Sequence, residues 1–213
     1  MERTTGYAVS RLDEIEEITD GRLPCRPVRH HFGISSFGVN AWTAAAAGER
    51  VLNAHDEAGD AEELYLVHQG HATFELDGER LDAPTGTLVY ARPGVMRTAF
   101  AEQPGTTILA IGGRPGEAYE PDGWELWMPV APLFNEARYA EAADRTRELA
   151  AASPELPMLT YMLAVCESKA GHTEAALEAL RAAAVSPRMR MIAAKDPDLD
   201  GIRTEPGFAD IIA

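Results

Sequence analysis

Cysteine and long apolar runs are both scarce in this chain of 213 residues. The two cysteines, Cys25 and Cys166, lie far apart and form no C-x-x-C pair, which argues against a disulfide framework or a cysteine-based zinc site. No apolar run reaches the roughly 18 residues that a membrane-spanning helix needs. The first residues lead into acidic sequence and not into the apolar core of a signal peptide. We therefore expect a cytoplasmic protein with no membrane partner.

Basic residues are also few. The chain has 19 Lys and Arg against 34 Asp and Glu, which gives a formal net charge of −15. Nucleic-acid backbones are bound through clustered Lys and Arg, so this balance argues against a nucleic-acid partner. Nucleophile elbows, P-loops and dinucleotide-binding glycine loops are absent from the sequence as well. The hydrophobic content of 46% is ordinary for a chain that buries a core.

The first half of the chain has a pattern typical of β-structure. From residue 28 to about residue 112, short strand-like runs are separated by Gly, Pro and Asp at intervals of about eight to twelve residues. Asp77-Gly78 lies between two such runs, which is a strong short-range signal of a tight hairpin. We predict an antiparallel sandwich or barrel at residues 28–128, preceded by an extension at residues 1–27 that contains a short helix.

The apolar period changes to 3.6 from about residue 137, which predicts an α-helical unit at residues 129–213. This part resembles tetratricopeptide repeats, because Gly171, Ala176, Leu180 and Ala183 match the small and large residues of that motif. A weaker copy precedes these residues at an offset close to the family's repeat length. The resemblance implies a surface for contact with another protein. Fewer than three full repeats imply that the helices lean on the rest of the chain or on a second copy.

Two segments of the β half resemble the motifs of the cupin superfamily. In the first segment, Glu63 is followed by six residues and a glycine, as in that family. The front of this motif departs from the pattern, since one residue too many lies on each side of His55 and Glu57 replaces the second histidine. The second segment begins at residue 86 and ends at Arg97, where the family has a metal-binding histidine. The resemblance covers roughly residues 28–112 and implies a cupin-type antiparallel β-barrel, or double-stranded β-helix.

In metal-bearing cupins, histidines and a glutamate hold a divalent transition metal inside the barrel. The candidates for such ligands here are His55, Glu57 and Glu63. Arg97 changes the expectation, because a guanidinium offers only hydrogen-bond donors and cannot ligate a cation. Beside Glu63 it would form an ion pair, or it would grip an anionic ligand with two hydrogen bonds. We therefore expect no metal cofactor.

Three hypotheses follow for the function of the barrel. The preferred one is a metal-free pocket that binds a small polar or anionic molecule and is lined by His55, Glu57, Glu63, Tyr65 and Arg97. The first alternative is a metal-dependent cupin oxygenase or isomerase with the ligands His55, Glu57 and Glu63 and a fourth group from elsewhere. The second alternative is a structural or scaffolding protein, in which the pair of Glu63 and Arg97 only stabilises the fold. Enzyme activity is left open, with a binding protein preferred.

Two further expectations concern neighbouring histidines and assembly. His30 and His31 are predicted to begin a strand, where side chains alternate between faces, so that one of the two faces the pocket. The sequence leaves open which one. The resemblance to cupins, which often pair through their strands, implies a homodimer.

Overall fold

The computed structural model describes residues 7–19, 23–56 and 60–213. The chain forms two compact units that meet between residues 120 and 121. The first unit is built of strands and the second of helices, so the predicted order of a strand-rich half followed by a helical half is confirmed. The boundary lies earlier than the expected one at residues 128 and 129, because a helix at Gly123–Trp127 packs on other helices of the second unit.

The described part of the first unit contains nine strands, and all of their pairings are antiparallel. The strands are β1 (Cys25–Arg26), β2 (Gly38–Thr43), β3 (Arg50–His55), β4 (Glu62–Gln69), β5 (His71–Leu76), β6 (Glu79–Pro84), β7 (Leu88–Ala91), β8 (Arg97–Ala101) and β9 (Thr107–Gly113). They form a five-stranded sheet in the order β1-β2-β9-β4-β7 and a four-stranded sheet in the order β3-β8-β5-β6.

One apolar core joins the two sheets. Alternate side chains of each strand point to the same face, so each sheet contributes one row per strand to the interior. The core residues from both sheets are Ala44, Val51, Leu52, Tyr65, Val67, Ala72, Phe74, Ala83, Val89, Ala91, Ala99, Ala101 and Ile108. Because Tyr65 and Val67 of β4 face this core, Glu63 at the end of the same row also faces the interior.

The predicted hairpin at Asp77-Gly78 is present between β5 and β6. Leu76 pairs with Glu79, and the two residues between them have positive φ angles of 49° and 87°. Two consecutive positive φ values define the type I′ turn, whose twist matches that of the flanking strands. The local dipeptide is therefore enough to set the register of these two strands.

The strand expected at His30 and His31 is wrong, because these residues lie on a short helix, α1 (Val28–Phe32). The helix ends at Gly33, which has a φ of 66° and donates its N–H to the carbonyls of Arg29 and His30. A glycine in this left-handed conformation is a common helix terminator. Both histidines are exposed, so strand alternation does not decide which of them faces the interior. In the extension, the expected short helix is a 3₁₀ turn at Leu12–Glu14.

The second unit consists of helices around a central one. The helices are α2 (Gly123–Trp127), α3 (Ala131–Asn135), α4 (Tyr139–Ala152), α5 (Pro157–Ala170), α6 (Thr173–Ala183), α7 (Pro187–Ala193) and α8 (Phe208–Ile212). Helix α5 packs against α2, α4 and α6, and Gly171 ends it with a φ of 80°. None of the described helices is long and apolar enough to cross a membrane.

A buried polar chain links three helices of this unit. Trp127 is fully buried and donates its Nε1–H to Thr146 Oγ1 at 2.9 Å. The Thr146 hydroxyl in turn donates to the Ala142 carbonyl at 2.7 Å and lies 3.7 Å from Cys166 Sγ. Burial raises the pKa of Cys166 to about 12, so this thiol is neutral at physiological pH.

We expect Thr146→Val to destabilise the protein by about 1–3 kcal/mol, because it leaves the buried Trp127 N–H without an acceptor. Thr146→Ser keeps the hydroxyl and should cost clearly less. Urea unfolding followed by tryptophan fluorescence measures both changes. Equal losses for the two variants would show that the hydroxyl does not support Trp127.

Candidate functional site

The centre of the site is Arg97, a cation buried inside the first unit. Its side chain is 0% exposed, and its backbone pairs with Leu76 of β5 on one side and with His55 of β3 on the other. Arg97 Nη1 donates to the Val95 carbonyl at 2.9 Å, while Nε donates to Glu63 Oε2 at 3.0 Å and to the Tyr65 hydroxyl oxygen at 3.2 Å. Nη2 donates to the same Glu63 oxygen. All three nitrogens of the guanidinium therefore have partners within the protein.

Glu63 supplies the charge that balances Arg97. Its Oε2 atom accepts hydrogen bonds from Arg97, from the Tyr65 hydroxyl and from His55 Nε2 at 3.2 Å. Burial alone would raise the pKa of Glu63, but the hydrogen bonds from His55, Tyr65 and Arg97 outweigh it and lower the pKa to about 2. The carboxyl is therefore ionised at any physiological pH.

Gly112 makes room for the Glu63 side chain. It is the cross-strand partner of Glu63 on β9, and a Cβ atom at this position would lie 3.0 Å from Glu63 Cγ. The sequence pattern treats Gly112 only as the end of the β region, so its role at the site was missed. The signal is the antiparallel register, which the sequence alone does not give.

His55 lies between two hydrogen-bond acceptors. Its Nδ1 lies 2.7 Å from the Asn53 carbonyl and its Nε2 lies 3.2 Å from Glu63 Oε2. The Asn53 carbonyl and the Glu63 carboxylate are both acceptors, and Nε2 also lies 3.5 Å from the Tyr65 hydroxyl. The bond with Glu63 raises the pKa of His55, which outweighs the opposing effect of burial. The side chain of His55 is 30% exposed, so this ring lies at the accessible edge of the cluster.

Strand irregularities bring His55 to the interior. Leu52 of β3 pairs with Ala99 of β8, and His55 pairs with Arg97, so β3 has one residue more than β8 over this interval. Such a bulge turns the side chains that follow it to the opposite face. His55 consequently shares a face with Arg97, and the extra residue before His55 in the sequence motif has a structural counterpart.

Tyr65 is the buried fourth member of the cluster. It is fully buried, donates its hydroxyl to Glu63 and packs near Phe74, with 5.8 Å between ring centroids. Burial and the negative charge of Glu63 both raise the pKa of Tyr65, so its hydroxyl stays neutral and acts as a donor. Tyr65 therefore fixes the position of Glu63 without adding charge.

Four of the five predicted pocket residues thus come together, and the fifth, Glu57, lies outside the described residues. Within residues 7–19, 23–56 and 60–213, no group of three His, Cys, Asp or Glu side chains is placed to hold a metal ion. Of the expected ligands, the described residues bring only His55 and Glu63 together, and Oε2 of Glu63 already accepts hydrogen bonds from Arg97 and Tyr65. Two side chains are fewer than the three or more that protein sites for divalent transition metals usually supply.

The accessible chemistry of the site is that of His55 and Glu63. The Glu63 side chain is 16% exposed, and no described residue donates a hydrogen bond to its second oxygen, Oε1. Arg97 and Tyr65 are closed off beneath them. A molecule that reaches the cluster therefore meets the Glu63 carboxylate and the edge of the His55 ring.

We expect Glu63→Gln to destabilise the protein by about 3 kcal/mol at neutral pH, because it leaves the buried Arg97 without a counter-charge. The pKa of Glu63 is lowered in the folded state, so its contribution is complete above a pH of about 4.5 and is lost as the pH falls through about 2. Urea unfolding at several pH values should show that the difference in unfolding free energy between Glu63→Gln and the unaltered protein decreases as the pH falls over this range.

Two further variants control this measurement. Glu62→Gln changes the exposed neighbouring residue and should alter stability by less than about 0.5 kcal/mol. The double variant Glu63→Gln/Arg97→Met should lose less than the sum of the two single changes, since it removes both charges together. Additive losses, or a gap that stays constant down to pH 2, would contradict the ion pair.

The comparisons with known proteins concern about half of the chain. No family model and no curated protein matches it. Solved structures that are similar include a cupin protein from Bacteroides fragilis (17% identity, 57% of this chain and 92% of that one, TM-score 0.41). A second one is a cupin-superfamily sugar phosphate isomerase from Silicibacter pomeroyi (20% identity, 54% of this chain and 82% of that one, TM-score 0.43). A third is a Cupin 2 conserved barrel domain protein from Salinispora arenicola (18% identity, 52% of this chain and 92% of that one, TM-score 0.44). These three structures are described as cupin proteins, and the similarity lies in the N-terminal, strand-rich part of this chain.

Proposed function

We propose that the first unit binds a small polar molecule at the edge formed by His55 and Glu63. The observation that carries this proposal is that the two carboxylate oxygens of Glu63 differ in their hydrogen-bond partners. Its Oε2 is saturated by donors from the protein, while no described residue donates to its Oε1. A carboxylate oxygen held in place in this way is a ready acceptor for a hydroxyl or amino group of a ligand.

Electrostatics favour a polar ligand over an anionic one. The sequence hypothesis included an anion gripped by Arg97, but the hydrogen bonds of this guanidinium go to Glu63, Tyr65 and Val95 and its side chain is fully buried. An incoming carboxylate would have to compete with Glu63 for these donors, and it would meet Glu63 at close range. Like charges at such a distance repel each other strongly when they are partly desolvated.

The prediction for binding uses calorimetric titration with monosaccharides, nucleosides, polyamines and dicarboxylates. We expect one of the uncharged hydroxyl-bearing compounds to bind, and His55→Ala to weaken its binding at least 10-fold. His68→Ala is the matched control, because His68 lies on β4 with its side chain exposed on the outer face, and it should leave binding unchanged.

Metal analysis of protein purified without chelator separates this proposal from the metal-dependent enzyme. One equivalent of a transition metal that is lost in Glu63→Ala would contradict the proposal and favour an oxygenase or isomerase. If none of the four classes of compound binds and no metal is present, the cluster serves the stability of the fold.

We infer that the assembly is a homodimer joined at β7. This strand is an edge of the five-stranded sheet, pairs only with β4 among the described strands and carries no charged residue. Leu88 and Tyr90 on its outer face are 61% and 51% exposed. An uncharged, apolar edge strand pairs readily with another strand. The absence of charge on β7 is notable in a chain whose net charge is −15. An antiparallel strand that pairs with its own copy across a two-fold axis makes a self-complementary contact.

Light scattering coupled to size-exclusion chromatography tests the dimer. We expect a mass of twice 23.0 kDa for the unaltered chain and of 23.0 kDa for Leu88→Lys. Leu81→Lys is the control, since Leu81 is also exposed but lies on β6, the edge of the other sheet. A monomeric unaltered protein at micromolar concentration would exclude this assembly.

The helical unit is proposed to be a tetratricopeptide-like module. The residues behind that resemblance support it, because Ala176, Leu180 and Ala183 form the buried face of α6 and Gly171 ends α5 in the left-handed conformation. Consecutive helices pack α4 on α5 and α5 on α6, as a helical repeat requires. The protein partner of this module stays a prediction from the sequence.

A further inference from the structure

Asn40 is a polar residue on the inner face of the five-stranded sheet. It lies on β2 opposite Ala110 of β9, and Ala110 lies opposite Tyr65 of β4. Directly opposite residues of antiparallel strands share a face, and both Tyr65 and Ala110 belong to the core side. Asn40 therefore points toward the same interior as the His55–Glu63 cluster.

The side-chain oxygen of Asn40 has no donor within the described protein. Oδ1 is buried, and no described residue gives it a hydrogen bond, although the residue as a whole is only half-buried. Most buried polar atoms in folded proteins are paired, because leaving one unpaired costs stability. A buried side-chain oxygen without a donor in the protein is therefore a candidate acceptor for a hydrogen bond from a ligand.

Small residues line the inner face of the sheet between Asn40 and Glu63. Gly112 and Ala110 occupy the inner positions of β9 between β2 and β4, and Gly38 occupies the inner position of β2 before Asn40. A Cβ atom at Gly38 would lie 2.6 Å from the Tyr119 hydroxyl, so the Tyr119 side chain packs directly against this glycine at the end of the inner face of β2. The guanidinium of Arg29 lies over the Tyr119 ring at 5.5 Å from its centroid.

The spacing of the two acceptors sets the size of the molecule. Asn40 and Glu63 lie two strands apart and two residues apart along the strands, which places their backbones about 12 Å from each other. Both side chains lie on the interior face, at the two ends of this span. A single sugar ring or a nucleoside has the size to bridge it.

We propose that Asn40 is a ligand-binding residue of the proposed site and that the ligand is a neutral, hydroxyl-bearing molecule of monosaccharide or nucleoside size. One hydroxyl donates to Asn40 Oδ1 and another donates to Glu63 Oε1. The inference rests on the proposed binding function and names the ligand class for it. A dicarboxylate is excluded because it has no donor for either acceptor at neutral pH.

The experiment compares Asn40→Leu with the unaltered protein in thermal unfolding and in calorimetric titration. The probes are glucose, mannose and galactose as sugars, uridine and adenosine as nucleosides, and succinate as the anion. Leucine has nearly the shape of asparagine and removes the unpaired amide. We expect an unchanged or higher melting temperature in the absence of probe, together with at least 10-fold weaker binding of the sugar or nucleoside that binds the unaltered protein.

The matched control is Asn135→Leu, because Asn135 is an exposed asparagine at the end of α3, in the second unit. It should leave probe binding unchanged. A second measurement needs no variant: the side-chain amide resonances of Asn40 in the unaltered protein should shift when the binding probe is added. This readout keeps the test valid if Asn40→Leu does not fold.

The outcomes separate the two proposals. If a probe binds and His55→Ala weakens it while Asn40→Leu and the Asn40 resonances do not respond, the binding function stands and the role of Asn40 is overturned. A lower melting temperature in Asn40→Leu with unchanged binding likewise assigns Asn40 to the fold alone. If succinate binds and no sugar or nucleoside does, the ligand class is overturned. Binding of sugars but not nucleosides, or the reverse, identifies the source of the hydroxyl groups and supports the proposal.

Discussion

The charge of Arg97 is the constraint on which the interior of the first unit depends. A guanidinium cannot lose its proton at any physiological pH, so its burial requires a permanent counter-charge and acceptors for its N–H groups. Glu63 supplies the charge, and Tyr65 and the Val95 carbonyl accept the remaining bonds. Arg97 helps to lower the pKa of Glu63, and the Glu63 carboxylate in turn raises the pKa of His55 and, together with burial, that of Tyr65.

Much of this arrangement could be predicted from local sequence. The Asp77-Gly78 turn identifies the hairpin, because only a few dipeptides accept two positive φ angles in succession. The two-residue period of β4 places Glu63 and Tyr65 on one face, and the motif spacing places Arg97 near them. These inferences succeed because they depend on residues close in sequence or on a spacing that a known fold repeats.

The parts that could not be predicted depend on strand pairing over long sequence distances. His55 faces the interior because of an irregularity in β3 that exists only in relation to β8. Gly112 and Asn40 matter because β9 lies between β2 and β4, an order that no local pattern contains. The strand predicted at His30 and His31 was wrong for a different reason, because two histidines fit a strand or a helix equally well. The helix that they form ends at Gly33, which acts as a helix terminator.

The two oxygens of Glu63 explain how one carboxylate can serve both the fold and a ligand. Oε2 holds the buried cation, so any ligand that takes this oxygen also removes the counter-charge of Arg97. An anion would also compete with Glu63 for the same guanidinium. A neutral donor that binds Oε1 makes neither demand and leaves the ion pair intact. In the proposed function, the stability of the interior would therefore select the ligand, because a molecule that binds there must not disturb the charges already buried.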